Sequence, residues 1–222
     1  PAGTLRLASA ALSLTWSGPD SQGMVSQLPA GQIPERTRVL SSGLTYVPGT
    51  VNEPLCIRTP GAVLRPWREE DAPPLARHAN NPRVSACMRD LFPSPYTIED
   101  AERFIALATG PSPNLFLAIE VRGEAAGGIG IHPLEDVHRG TAEIGYWLAE
   151  PFWGQGIVTD AVRALVPVAL ERTGVGRIQA GIFSNNPASM RVLEKCGFVR
   201  EAVHRNAITK NGMVMDEVMY VR

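Results

Sequence analysis

The stretch AEIGYWLAEPFWGQGIVTDAV, residues 142–162, decides how this chain is read. Its β-forming start runs through a turn holding Gly154 and Gly156 and continues into a helix-forming segment. A loop that feeds a helix N-terminus offers unpaired backbone N–H groups and the positive end of the helix dipole, which together suit an anion. Glycine alone also explains such a turn, because a strand-to-helix connection needs its geometry with or without a ligand. Two familiar phosphate loops do not fit. A P-loop needs Lys and then Ser or Thr after its last glycine, whereas Ile157 and Val158 follow Gly156. A dinucleotide fingerprint wants a third small residue and an acid about 20 residues further on. Thr159 and the acid-free RIQAGIF (177–183) occupy those places.

Outward from the loop the pattern is regular from about Leu55 to the end. LCIRTPGAVLRPW (55–67) is β-forming, and REEDAPPLARHAN (68–80) predicts a short or kinked helix beginning near Glu69. TIEDAERFIALAT (97–109) predicts a helix capped by Thr97 with Asp100 three residues on. Three strands follow at 114–121, 124–133 and 142–149, the first two joined by a tight turn at Arg122–Gly123. VTDAVRALVPVALERTG (158–174) reads as a helix despite Pro167, closed by Gly174. RIQAGIF is the next strand, Pro187 to Cys196 a short helix, and 198–221 a terminal hairpin turning at Asn211–Gly212. Met213, Met215 and Met219, on alternate positions of the last strand, read as one apolar face. The elements add up to a mixed sheet covered by helices on both faces, α/β in the broad sense and α+β by stricter convention.

Residues 1–54 differ in kind. Charges are sparse, the apolar residues keep no period, and Pro and Gly recur, so a Ser/Gly/Pro-rich extension is expected there, with the domain at 55–222. Within it, TLRLASAALSLTW (4–16) leaves open a cleaved targeting peptide. The whole chain has 222 residues, 44% of them apolar, with 21 basic and 22 acidic side chains. That is enough for a core of ordinary size, and it lacks the basic excess that draws a protein to nucleic acid or acidic lipid. No apolar run approaches the roughly 20 residues that span a bilayer. Cys56, Cys87 and Cys196 stand far apart and outside any CxxC pattern, which fits reduced thiols in a cytoplasmic setting. Cys196 reads as a small apolar filler, and His78, His132, His138 and His204 show no metal-ligand spacing.

The glycine loop becomes specific when joined to NNPASMRVLEKCGF (185–198). Together with IRTPGAVLRPWREEDAPPLARHANNP (57–82), AEIGYWL and KNGMVMDEVMY (210–220), in that order and spacing, it resembles the GCN5-related N-acetyltransferase superfamily, in its RimJ/RimL-like branch. The resemblance covers roughly Cys56 to Arg222. It implies a mostly antiparallel sheet in which two parallel strands, EIGYWLA and RIQAGIF, splay apart to admit acetyl-CoA. The loop departs from the superfamily pattern Q/R-x-x-G-x-G/A at Pro151, where Gln or Arg is usual, and Val158 stands where this branch often has Ala. More weight then falls on backbone N–H groups.

Acyl transfer from a thioester to an amine needs a neutral amine, a seat for the developing oxyanion, and a proton for the departing thiolate. Neutralising the amine at pH 7 costs roughly 1 kcal/mol for an α-amine and about 4 to 5 for a lysine. Glu143 shares a strand face with Gly145 and Trp147, and the resemblance makes it the base; a structural carboxylate paired with an arginine is the alternative. Ser189 takes the proton donor's place by the same resemblance, since the usual tyrosine position is Leu193, yet a serine in a first helical turn is ordinary. Asn186 with Pro187 makes a standard N-cap and, by resemblance, also reaches the pantetheine amides. The coenzyme site implied comprises Tyr146, Trp147 and Leu148 on the strand, Trp153, Gly154, Gln155, Gly156, Ile157, Val158 and Thr159 on the loop, and Asn186 and Ser189. A backbone N–H near Trp147 or Leu148 is expected to meet the oxyanion. The acceptor would be a protein N-terminus or a small amine, with no metal, nucleic acid or membrane partner, and a homodimer is compatible. A silent acyl-CoA-binding module and a nicotinamide-dependent oxidoreductase stay open as rivals.

Overall fold

The computed structural model describes residues 55–222, together with the backbone of two short strands at 38–39 and 45–46. Apart from those strands, the expected extension over 1–54 and its targeting peptide lie outside the described residues. Among the described residues ten strands form one sheet: β1 (Arg38–Val39), β2 (Thr45–Tyr46), β3 (Ile57–Arg58), β4 (Val63–Pro66), β5 (Leu115–Val121), β6 (Glu124–Pro133), β7 (Thr141–Leu148), β8 (Arg177–Phe183), β9 (Val199–Lys210) and β10 (Met213–Val221). Neighbours run β1-β2-β3-β4-β5-β6-β7-β8-β10-β9, and every pairing is antiparallel except β7 with β8. Both tight hairpins place their two central residues at positive φ: Arg122 and Gly123 at 54° and 85°, Asn211 and Gly212 at 51° and 75°. That handedness matches the twist of the strands they join.

Among the described residues there are also five α-helices: α1 (Ala72–Ala79), α2 (Pro82–Ser85), α3 (Ile98–Thr109), α4 (Ile157–Thr173) and α5 (Pro187–Lys195). A 3-10 turn at Glu69–Asp71 leads into α1, at the expected kinked start. The Thr97 hydroxyl accepts from the Asp100 N–H while the Asp100 carboxylate accepts from the Thr97 N–H, closing the expected capping box of α3. α4 carries Pro167 internally and ends at Gly174, φ 69°. Helix α2 has only four residues, too few to show an apolar period in the sequence.

Two cores lie on opposite faces of the sheet. On one, Ile144, Tyr146 and Leu148 of β7 pack with Ile178, Ala180 and Ile182 of β8 under α4 and α5. On the other, Phe116, Ala118, Ala125 and Trp147 pack under α1, α2 and α3. The methionine face of the last strand is a correction. Only Met219 is buried, whereas Met215 is half-buried and Met213 is 59% exposed, so burial rises along the strand away from the hairpin turn. A register shift between Met215 and Glu217 also breaks the strand's alternation. Among the described residues no helix is long and apolar enough to cross a membrane.

Candidate active site

The parallel pairing of β7 and β8 lasts three rungs, Thr141↔Arg177, Ala142↔Ile178 and Glu143↔Gln179, and then stops. β7 stays paired to β6 as far as Leu148↔Gly127, while β8 turns to β10 through Phe183↔Glu217. The two strands therefore part company just beyond Glu143. The parity of hydrogen bonding follows from the ends of the β6–β7 ladder, where Leu134 N–H donates to Thr141 and Ala149 N–H to Ala126. Odd-numbered residues of β7 thus bond to β6, and even-numbered ones address β8. Tyr146 and Leu148 lie past the last parallel rung, so their N–H groups point into the gap. The Leu148 carbonyl is taken by the Trp153 indole N–H at 2.6 Å. Trp147 faces the other way in the ladder, opposite Gly128.

Below the gap is the glycine loop. Gly154 and Gly156 sit at φ 75° and 80°, a region L-residues rarely enter. Gly154, Gln155 and Gly156 are all solvent-exposed. The helical ladder of α4 begins with the Asp160 N–H donating to Gly156, which leaves the N–H groups of Ile157, Val158 and Thr159 to the open end of the helix. The Gln155 amide donates back to the Pro151 carbonyl at 3.0 Å, tying the loop across the position where Pro151 departs from the pattern. Cys196 is buried and its thiol donates to the Thr159 carbonyl at 3.3 Å, so it pins the end of α5 to the first turn of α4.

Ser189 lies in the first turn of α5, where its N–H donates to the Asn186 side chain at 3.1 Å. Its hydroxyl is 2.8 Å from the Tyr146 hydroxyl, and either can donate. No sequence pattern foretold this pair. Leu193 is indeed not a phenol, but β7 supplies one from the opposite side of the gap. Burial pushes the Tyr146 phenol well above its ordinary range, and the bond to Ser189 opposes that.

Glu143 stands on the other face of the sheet from Tyr146 and Ser189. It is 9% exposed, with Gln179 donating to it across a long 3.4 Å bond. Burial raises its pKa, the Arg89 charge and the Gln179 bond lower it, and Glu217 raises it again. Arg89, between α2 and α3, is itself held down to about 10 by burial, against the pull of Glu143 and Glu217. Glu143 therefore has both an arginine neighbour and a perturbed carboxyl. His132 is its direct cross-strand neighbour, 2% exposed with neither ring nitrogen hydrogen-bonded among the described residues. Gln179, Arg89 and Glu217 were not singled out in the sequence; counting the parallel register from Glu143 would have found Gln179, but Arg89 lies on an irregular segment with no period to read.

Between these groups the sheet is bare. Gly145 and Gly181 are each two residues past the last parallel pair, and Gly130 faces Gly145. The face under α1–α3 thus has a strip without side chains at the mouth of the gap. Two hollows open beside it. One, of about 290 Å³, is lined by Met88, Arg89, Phe92, Tyr96, Phe104 and Leu107 among others. The second, of about 390 Å³, lies between Arg89 and the terminal hairpin at Ala207 to Lys210.

This architecture has known counterparts. The family model described as "Acetyltransferase (GNAT) domain" matches residues 62–199. Protein YdaF of Bacillus subtilis (strain 168) is 40% identical over 98 residues, 44% of this chain and 53% of that protein. The ribosomal-protein-serine acetyltransferase of Escherichia coli (strain K12) is 33% identical over 99 residues, 45% of this chain and 55% of that protein. The chain spans about half the length of these curated relatives. Among solved structures, RimL, a ribosomal L7/L12 α-N-protein acetyltransferase in complex with coenzyme A, superposes with a TM-score of 0.66 at 26% identity, covering 74% of this chain and 94% of that one. The microcin C7 self-immunity acetyltransferase MccE, in complex with acetyl-CoA and AMP, gives 0.64 at 25% identity, covering 74% and 93%. A sheet with a single parallel pair among the described residues also removes the support for a dinucleotide fold, which requires a mostly parallel one. Sequence and architecture agree that the chain belongs to the GNAT acetyltransferase family.

Proposed function

We propose that this protein is an acetyl-CoA-dependent N-acetyltransferase that acetylates a primary amine, either a protein N-terminal α-amine or a small amine. The observation that carries this reading is the gap between β7 and β8, with two strand N–H groups pointing into it directly above a glycine loop that opens a helix. The donor set suits a coenzyme A pyrophosphate: backbone N–H groups of the exposed Gly154–Gly156 turn and of the open first turn of α4, glycines at positive φ where a side chain would be strained, and the helix dipole behind them. Trp153 and Asn186 flank the path, and both relatives solved with coenzyme A or acetyl-CoA support the assignment by analogy.

When bound, acetyl-CoA supplies the thioester carbonyl that the amine attacks. Glu143 takes the proton of the incoming ammonium, directly or through water. A carboxyl raised by burial shares a proton with an amine at a smaller free-energy difference than a surface carboxylate does. Gln179 orients it, and the Arg89 charge favours its ionised form. The N–H groups of Tyr146 and Leu148 receive the charge developing on the carbonyl oxygen, which sharpens the expectation from the neighbourhood of Trp147 to the two even-numbered residues. Ser189, held by its bond to the Tyr146 hydroxyl, passes a proton to the leaving thiolate and takes back the one that the nitrogen releases as the amide forms. Release of free thiol from acetyl-CoA, measured over a panel of peptides and small amines, tests the reading. Acceptor-dependent release is expected. Tight coenzyme A binding with no release for any acceptor would instead make the chain a silent acyl-CoA-binding module.

A further inference from the structure

The hollow between the α2–α3 segment and helix α3 is not accounted for by the coenzyme path or by the proton-transfer groups. Its wall is made of Met88, Leu91, Phe92, Tyr96, Phe104 and Leu107, with Arg89, Asp100 and Arg103 as its charged members. All three of these charges are already engaged. The Asp100 carboxylate accepts from the Thr97 N–H and hydroxyl and pairs with Arg103. Arg89 lies within the field of Glu143 and Glu217 at the inner end. The remaining surface is aromatic and aliphatic, so an occupant bearing its own charge would lose hydration without finding a matching partner.

The hollow adjoins the reacting face through two of its lining residues, Phe92 and Arg89. Phe92 packs edge-on to Trp147 with ring centroids 5.7 Å apart, and Trp147 is two residues from Gly145 on the same side of β7. Arg89 lines the hollow and is electrostatically coupled to Glu143. A substituent on the acceptor's amine-bearing carbon, with the nitrogen near Glu143, would therefore extend toward this wall. The volume of about 290 Å³ decides how large that substituent can be. It is nearly twice the roughly 150 Å³ of an apolar cavity that accepts benzene, so it holds a phenylalkyl or branched aliphatic group.

Resting on the acetyltransferase reading above, we infer that the acceptor is an amine bearing a bulky, uncharged apolar group next to the reacting nitrogen, with Phe92, Phe104 and Leu107 as its specificity-determining residues. A small hydroxyl-bearing side chain such as serine's would leave the hollow unfilled, and a lysine-like one would put a cation against an apolar wall beside Arg89.

The test compares the amides of glycine, serine, lysine, leucine and phenylalanine as acceptors in thiol release from acetyl-CoA. Leucinamide and phenylalaninamide should exceed glycinamide and serinamide in kcat/KM by about tenfold to a hundredfold, the effect of burying one large apolar side chain. Leu107→Trp, which fills the hollow from α3, should collapse that ratio, and Leu107→Ala should favour phenylalaninamide over leucinamide. Serinamide or lysinamide reacting as well as leucinamide would overturn the inference while leaving acetyl transfer intact. Should none of the amides react, saturation-transfer NMR of 2-phenylethylammonium with the coenzyme A-loaded protein decides separately. Binding that Leu107→Trp abolishes supports the pocket, and absence of binding to the unaltered protein refutes it.

Discussion

His132 makes the stability of this protein sensitive to mild acid. The ring is 2% exposed, packs against Phe116 with centroids 5.2 Å apart, and has no hydrogen-bond partner at either nitrogen among the described residues. Burial, assisted by the nearby Arg89 charge, pushes its pKa from 6.5 down to about 3. The unfolded chain therefore takes up a proton below about pH 6.5 that the folded chain refuses until about pH 3. A depressed folded-state pKa contributes stability that is fully present above the unfolded value and is lost as pH falls toward the folded one. The slope approaches about 1.4 kcal/mol per pH unit below the unfolded value, so lowering pH from 6.5 to 4.5 removes roughly 2 kcal/mol. That is a large share of the 5–15 kcal/mol typical of a domain. Urea unfolding at pH 7, 6, 5 and 4.5 should show the unaltered protein losing stability steeply relative to His132→Leu, whose apolar side chain cannot take a proton. The comparison cancels every other titrating group. A free-energy difference between the two proteins that stays constant from pH 7 to 4.5 would refute the reasoning, as would an imidazole titrating near 6 by NMR.

Glu143→Gln should act with the opposite slope. A carboxyl raised by burial favours the folded state most in acid and loses that contribution as pH rises through its folded pKa, so the amide should unfold at higher temperature than the unaltered protein at pH 7 and at the same temperature near pH 4. The same variant should slow acetyl transfer while leaving coenzyme A affinity close to normal, and unchanged rates at every pH would take Glu143 out of the chemistry. Asp71→Ala strips the buried Arg65 of its bidentate partner, held at 2.7 and 2.8 Å, and should cost about 3 kcal/mol in urea unfolding, with Glu120 left to pair the guanidinium. A loss under about 1 kcal/mol would mean that Glu120 suffices. Gly127→Ala would place a Cβ 2.4 Å from the Trp147 carbonyl oxygen, which belongs to backbone and has nowhere to go. A loss of about 1–3 kcal/mol is expected, together with weaker coenzyme A binding as β7 shifts at the gap; wild-type melting and affinity would show that β6 and β7 can separate without penalty.

Much of this fold was legible because its punctuation is local. Arg122–Gly123, Asn211–Gly212, the Thr97–Asp100 box and Gly174 each announce a turn or a cap within a few residues, and the structure has each where the sequence puts it. The glycine loop was legible only in combination with the segment around Asn186, since glycine serves geometry and ligand alike. Less legible were features that depend on which strands become neighbours. The Tyr146–Ser189 pair joins residues 43 apart on different elements, and neither carries a local mark of the other. Glu217 depends on a register shift in the terminal hairpin, which moves it relative to the alternation that Met213 and Met215 suggest. Arg89 follows a helix of one turn, where no periodicity exists to reveal what it faces.

The bare strip at Gly130, Gly145 and Gly181 gives the sheet the character of a partition with one doorway. On the proposed reading, one reactant occupies the side of α4 and α5 and the other the side of α1 to α3, and they meet only where side chains are missing. Neither has to vacate its seat for the other to enter. The order of events is then sequential, with both partners resident before the acyl group moves, and initial-rate plots at varied concentrations of the two should intersect instead of running parallel. A Cβ at Gly145 or Gly181 would narrow the doorway from the strand itself, slowing the meeting of two reactants that each still find their own chamber.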